Sequence, residues 1–227
     1  MNSQYPLEKF KETGFSVVNM NKEDIDISDF TKNWIKFLLG NQAAKNPTNI
    51  HEIIKDDNFY STRLIQKNRH RDEKEFIKKI IEKYKISSFI ERYWSSKWKI
   101  WDEGFGSLGI RIVRPNSNDG YSWSCKYWGP AKNVLSFSLV QFIGCPNSAT
   151  TLIPYTHKLI NIPYKYENSI HCKDELRLDD ENFDTSKSIK PANSQGDLLI
   201  THPKLIHTEK NYSKKDTRIS LEFRLTK

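Results

Sequence analysis

A chain of 227 residues, 37% of them apolar and 12% aromatic, has enough apolar mass for one sizeable core, which excludes a disordered chain. No run of about 18 apolar residues is present to form a membrane span. The net charge of +8 comes mostly from Lys interleaved with acids, as in Asp72-Glu-Lys-Glu-Phe-Ile-Lys-Lys. That pattern reads as solvated helix faces, not as an Arg-rich nucleic-acid stripe, and the total is equally compatible with an attraction for small anions.

The N-terminus has no apolar signal core, so a cytoplasmic protein is expected. Cys125, Cys145 and Cys172 are odd in number and have no paired spacing, which argues against a disulfide framework or a zinc ribbon.

Residues 1–95 read as mainly helical, with Gly14-Phe-Ser-Val-Val as a short strand. Phe30, Trp34, Phe37 and Leu38 recur at helical spacing over residues 28–39, with Ser28 as N-cap and Gly40 as the stop. Phe76, Ile77, Ile80, Ile81 and Tyr84 repeat the pattern over residues 72–84.

From Trp98 the period changes to two. Leu108, Ile110 and Ile112 form one alternating set, and Leu135, Phe137 and Leu139 a second. Thr151-Leu-Ile and Asp197-Leu-Leu-Ile-Thr are shorter strands. Residues 164–195 are polar, show no period, and are expected to form a long loop. In the last strand Ile219, Leu221, Phe223 and Leu225 alternate with Arg218, Ser220, Glu222 and Arg224.

Helices followed by short strands predict an α+β chain of one domain over residues 1–227. A sandwich or jelly roll is expected over about 96–227, with the helices of about 1–95 packed on it.

The C-terminal segment carries the chemistry. Gly196-Asp opens an apolar strand that leads to His207, a polar turn follows, and then comes Arg218-Ile-Ser220. An Arg fork holds a carboxylate bidentately, and Ser220, two residues on, shares its face. This segment resembles the C-terminal signature of the phytanoyl-CoA dioxygenase-like family of iron(II)/2-oxoglutarate oxygenases. Ile153-Pro-Tyr-Thr-His-Lys, Ile110-Arg-Ile-Val-Arg-Pro-Asn and the pair Tyr127-Trp128 resemble further family segments in the same order.

The resemblance implies a double-stranded β-helix (a cupin-like jelly roll) over about 96–227, with Arg218 and Ser220 as the cofactor-binding residues for 2-oxoglutarate and His207 as the distal ligand of any iron(II). It also implies a His-x-Asp shortly before Tyr127, where this chain has Gly120-Tyr-Ser-Trp-Ser-Cys-Lys. Depending on the alignment, Ser122 and Ser124 or Trp123 and Cys125 occupy the ligand positions, and neither pair supplies an imidazole and a carboxylate. One imidazole plus a chelating 2-oxoglutarate is a weak iron site.

Three readings remain open at this point. One is an oxygenase acting on a small polar metabolite, including a variant with Cys125 as a thiolate ligand. Another is a metal-free enzyme doing epimerase- or lyase-like chemistry on a sugar-like substrate. There His207 is the acid or base, with Cys125 and Tyr127 as further catalytic candidates beside Tyr121 and Lys126. The last is a non-catalytic module binding a small anionic or polar ligand. In that case Arg218 pairs with Glu222 or Asp197. No nucleic-acid or membrane partner is expected.

Overall fold

A computed structural model describes residues 7–19, 25–55, 73–101, 108–117, 123–125, 133–142, 144–159, 164–169, 172–178 and 184–227. Helices α1 (Leu7–Thr13), α2 (Ile25–Leu39), α3 (Asn41–Lys45), α4 (Ile50–Ile53), α5 (Glu73–Lys83) and α6 (Ile86–Trp94) belong to the first part. The strands are β1 (Phe15–Val18), β2 (Lys99–Ile100), β3 (Leu108–Val113), β4 (Val134–Phe142), β5 (Thr151–Leu152), β6 (Tyr164–Ser169), β7 (Cys172–Leu178), β8 (Leu198–Thr201), β9 (His207–Thr208) and β10 (Arg218–Thr226). Among the described residues no helix is long and apolar enough to cross a membrane.

The major sheet is antiparallel in the order β1-β8-β4-β10, with β3 and β2 paired to successive parts of the far edge of β10. Opposite it, β5 pairs with β9, and β6 pairs with β7. The ladder between β10 and β4 shifts register between Ile219 and Ser220. Such an irregularity bends a strand and re-aims its side chains, and here it falls beside the polar cluster described below.

Period-two alternation gives the major sheet two different faces. Ile219, Leu221, Phe223 and Leu225 of β10 join Leu135, Phe137 and Leu139 of β4 on the outer face. There they pack with Phe10, Ile77, Ile80, Ile81, Phe89 and Ile90 from the helices. Phe137 stacks on Phe223 at 4.9 Å, and Phe10 meets Phe89 edge-on at 5.2 Å. Each such side chain contributes about 1.5–3 kcal/mol by burial. On the inner face Phe15, Val140, Leu152, Ala192, Leu199 and Leu205 form a second apolar cluster.

The chain turns from α1 into β1 at Gly14, which closes the helix by donating to Phe10 O at 2.8 Å and has φ +84°. A Cβ at Gly14 would lie 2.5 Å from Nδ1 of His157, so glycine is required by space as well as by backbone angle.

Two expectations change. Residues 164–195, expected as one long loop, carry the hairpin β6–β7 and a 3-10 turn at Thr185–Lys187. Tyr164 and Tyr166 stand opposite Leu178 and Leu176, an alternation hidden in the sequence by intervening charges. The helix expected to be capped by Ser28 begins at Ile25, so Ser28 lies within it, while Gly40 ends it with φ +87°.

Candidate functional site

The polar set on β10 faces the β5–β9 side of the barrel. Arg218 is 1% exposed and Ser220 2% exposed. Register puts Arg111 of β3 across from Ser220, and Gly109 across from Glu222. Arg111 therefore reaches diagonally to Glu222 and binds it through both ends of its fork, Nε–Oε1 at 2.6 Å and Nη2–Oε2 at 2.9 Å. From the other side Glu209 brings Oε2 to 2.5 Å from the same Nε. Two carboxylates thus converge on one buried guanidinium.

Arg218 takes neither of the partners considered for it from the sequence. Its Nη1 donates to the carbonyl of Ser148 at 2.8 Å, and its Nη2 to the carbonyl of Glu209 at 3.0 Å. Its buried Nε has no hydrogen-bond acceptor among the described residues. Asp197 instead accepts from the backbone N–H of Ser194. Arg224 lies over the Trp101 ring, 4.9 Å from its centroid.

Burial pushes the guanidinium pKa of both Arg218 and Arg224 below the usual value, with Arg111 adding to the depression and Glu209 and Glu222 opposing it. An Arg stays charged even so. Among the described residues Arg111, Arg218 and Arg224 share the barrel interior with Glu209 and Glu222.

His207 is buried at the start of β9. Nδ1 lies 2.9 Å from the Leu205 carbonyl, which can only accept, so Nδ1 carries a proton and Nε2 is the basic nitrogen of the neutral ring. Nε2 is 3.9 Å from Oε1 of Glu209, a contact that becomes an ion pair only on protonation.

Ser124 pairs directly with His207: Ser124 N–H donates to His207 O at 2.9 Å, and His207 N–H to Ser124 O at 3.0 Å. Ser124, one of the positions expected to hold a ligand, therefore lies beside His207. Cys125 follows as a buried cysteine. Tyr121, Ser122, Lys126, Tyr127 and Trp128 lie outside the described residues.

These donors do not suit iron. Among the described residues no three His, Cys, Asp or Glu side chains gather into a metal-binding group. Glu209, a carboxylate near the His207 ring, is held by the Arg111 cation, which would oppose a metal ion there. A carboxylate ligand fits the donor set better, because Arg218 Nε is a buried cationic donor without an acceptor.

No protein-family model matches the chain, and no curated protein matches it in sequence. Solved structures do match its shape. EvdO2 from Micromonospora carbonacea var. aurantiaca complexed with 2-oxoglutarate superposes with a TM-score of 0.62 at 9% identity, covering 97% of this chain and 89% of that one.

The fold is the cupin-like jelly roll of the 2-oxoglutarate oxygenases.

Other oxygenase-fold neighbours agree at similar distance. EctD from S. alaskensis with bound Fe gives 0.58 at 11% identity, covering 97% and 75%. The epimerase SnoN in complex with Fe3+, alpha ketoglutarate and nogalamycin RO gives 0.56 at 11%, covering 97% and 81%. At these identities the oxygenase-fold likeness concerns architecture alone.

Sequence reasoning missed Arg111, Glu209 and Glu222 as members of the site. Glu209 had a signal, since His207-Thr-Glu209 places a carboxylate two residues after the key histidine and hence on the same side of a strand. Arg111 had none, because only the pairing of β3 with β10 brings it to Glu222.

Proposed function

We propose that the protein binds a small carboxylate-bearing metabolite inside the barrel, and that it does so without iron. Arg218 and Ser220 hold the carboxylate, as in the phytanoyl-CoA dioxygenase-like resemblance, but the described residues do not supply the ligands that would turn the pocket into an oxygenase. The observation that carries this reading is the Arg218 Nε, a buried cationic donor with no acceptor among the described residues. Leaving such a donor unsatisfied costs about 1–3 kcal/mol, and an incoming carboxylate relieves it. Arg218 is almost wholly covered, so binding must displace a neighbouring group.

Thermal denaturation in EDTA tests this reading. 2-Oxoglutarate and succinate should raise the Tm of the wild type, and the rise should vanish in Arg218→Lys, which keeps a charge but loses the fork. Equal stabilisation of both proteins, or none of the wild type, contradicts the proposal.

A second reading rests on the His207 tautomer. With Nδ1 donating to Leu205, Nε2 is set to take a proton from a carbon beside the bound carboxylate, and delivery of a proton to the opposite face inverts that carbon, an epimerisation that needs no metal. Cys125 and Tyr127 are the candidates to handle the proton on the opposite face. Wash-in of solvent deuterium into a sugar acid, abolished in His207→Gln, supports this reading. Absence of wash-in across a panel of sugar acids leaves binding alone.

A further inference from the structure

The inner face of the major sheet carries a second polar group at the end away from Arg218. Arg224 lies six residues further along β10, about 20 Å at strand spacing. Register sets Ser136 of β4 directly opposite it, and Thr201 of β8 opposite Ser136. On the other side the N–H of Trp101 donates to the Arg224 carbonyl at 3.0 Å, which continues the pairing of β2 with β10. Directly paired residues share one face of a sheet, so Thr201, Ser136, Arg224 and Trp101 form a row across it.

Two members of this row are unsatisfied. The Arg224 guanidinium lies over the Trp101 ring, and among the described residues it has neither a hydrogen-bond acceptor nor a carboxylate within ion-pair distance. Ser136 is 5% exposed, and its buried Oγ has no hydrogen-bond partner among the described residues. The Thr201 hydroxyl is turned instead to the backbone carbonyl of Ser136, at 3.5 Å. Solvent reaches this end of the face: Ser138, Glu222 and Arg224 are half-buried, whereas Arg218 and Ser220 are buried. A ligand meets Arg224 without the displacement that Arg218 requires.

We propose that Arg224 and Ser136 form a second binding site in the barrel, for a hydroxylated monocarboxylate such as an aldonic acid. The Trp101 ring occupies one face of the guanidinium and leaves its N–H edge for a planar acceptor, which a carboxylate matches bidentately. Ser136 Oγ donates to the same carboxylate, and Ser138, opposite Glu222 in the next row, offers its hydroxyl to those of the ligand. The charge of Glu222 acts on Arg224, which favours a monoanion over a dianionic phosphate. The site does not use Arg218, so either carboxylate site can fail without the other.

Calorimetric titration of the EDTA-treated protein with D-gluconate at low ionic strength is the test. Saturable binding should weaken about tenfold or more in Arg224→Lys, which keeps the charge but loses the fork, and stay unchanged in Arg218→Lys. Ser136→Ala should weaken it about threefold or more. The same change removes a buried hydroxyl without a partner, so the Tm of the unliganded protein should not fall. Acetate, which has no hydroxyl, should bind more weakly than gluconate. No saturable gluconate binding would overturn the proposal, as would wild-type affinity in Arg224→Lys, an equal loss in Arg218→Lys, or acetate binding as tightly as gluconate. A lower Tm in Ser136→Ala would make that hydroxyl structural and remove it from the site.

Discussion

Glu209 stands two residues after His207, yet its carboxylate meets the guanidinium of Arg111 at 2.5 Å, while the His207 ring lies 3.9 Å away. A carboxylate that close to the histidine is the natural partner for a metal ion, and a buried cation already holds it. The interior of this oxygenase-type barrel is therefore organised by ion pairing.

Removing one partner from that network strands the others in a low-dielectric interior. Arg111→Met leaves Glu209 and Glu222 facing each other, and should cost about 3–5 kcal/mol in urea unfolding. Glu209→Gln keeps the Arg111–Glu222 pair and should cost less. The double variant should be more stable than the sum of the two losses predicts, because the residues share one network. Additive losses would show that the contacts are incidental.

Gly14→Ala should destabilise the protein by about 2 kcal/mol or more, since the substitution meets both an unfavourable φ of +84° and the His157 ring. Relief by His157→Ala in the double variant would identify the ring as the obstacle. Stability within 0.5 kcal/mol of wild type, roughly the spread of a neutral surface change, would contradict the close packing of α1–β1 on the turn at His157.

His202 gives the stability curve an acid limb. Burial, aided by His157 and Lys204, lowers its pKa from 6.5 to about 4. The unfolded chain takes up a proton near 6.5 and the folded protein does not until about 4. The stabilising effect is therefore complete above pH 6.5 and falls as pH drops toward 4. The His157 pKa is lowered as well, again mainly by burial, and Lys158 faces it.

The loss should reach at most about 3 kcal/mol, reduced by solvent because His202 is partly exposed. His202→Gln, which can still accept from Lys204, should flatten this limb in Tm measured between pH 4 and 7. An unchanged limb would place the sensitivity elsewhere.

Much of the fold was legible because β10, β4 and β3 have different chemistry on their two faces. Alternation identified Ile219, Leu221, Phe223 and Leu225 as a set, but it cannot say which face meets the helices. Packing on Phe10 and Phe89 decides that, and it turns Arg218, Ser220 and Glu222 inward. Hairpin β6–β7 escaped because charges separate Tyr164 from Tyr166 and Leu176 from Leu178, which lowers the local hydrophobic signal.

The site was legible only in part. His207, Arg218 and Ser220 could be singled out from their order in the chain, and Ser124 does pair with His207. The destinations of the Arg218 nitrogens could not be read, since both acceptors are backbone carbonyls whose positions follow from tertiary structure. The Arg111–Glu222 diagonal likewise depends on strand register, which spacing along one strand does not encode.

The central claim is that the barrel holds a carboxylate without iron. Anaerobic addition of iron(II) to the protein with 2-oxoglutarate, followed by visible spectroscopy and metal analysis after desalting, tests it most directly. The account predicts no metal-to-ligand charge-transfer band and iron well below one equivalent, while 2-oxoglutarate still stabilises the EDTA-treated protein. A clear band with near-stoichiometric iron would contradict it.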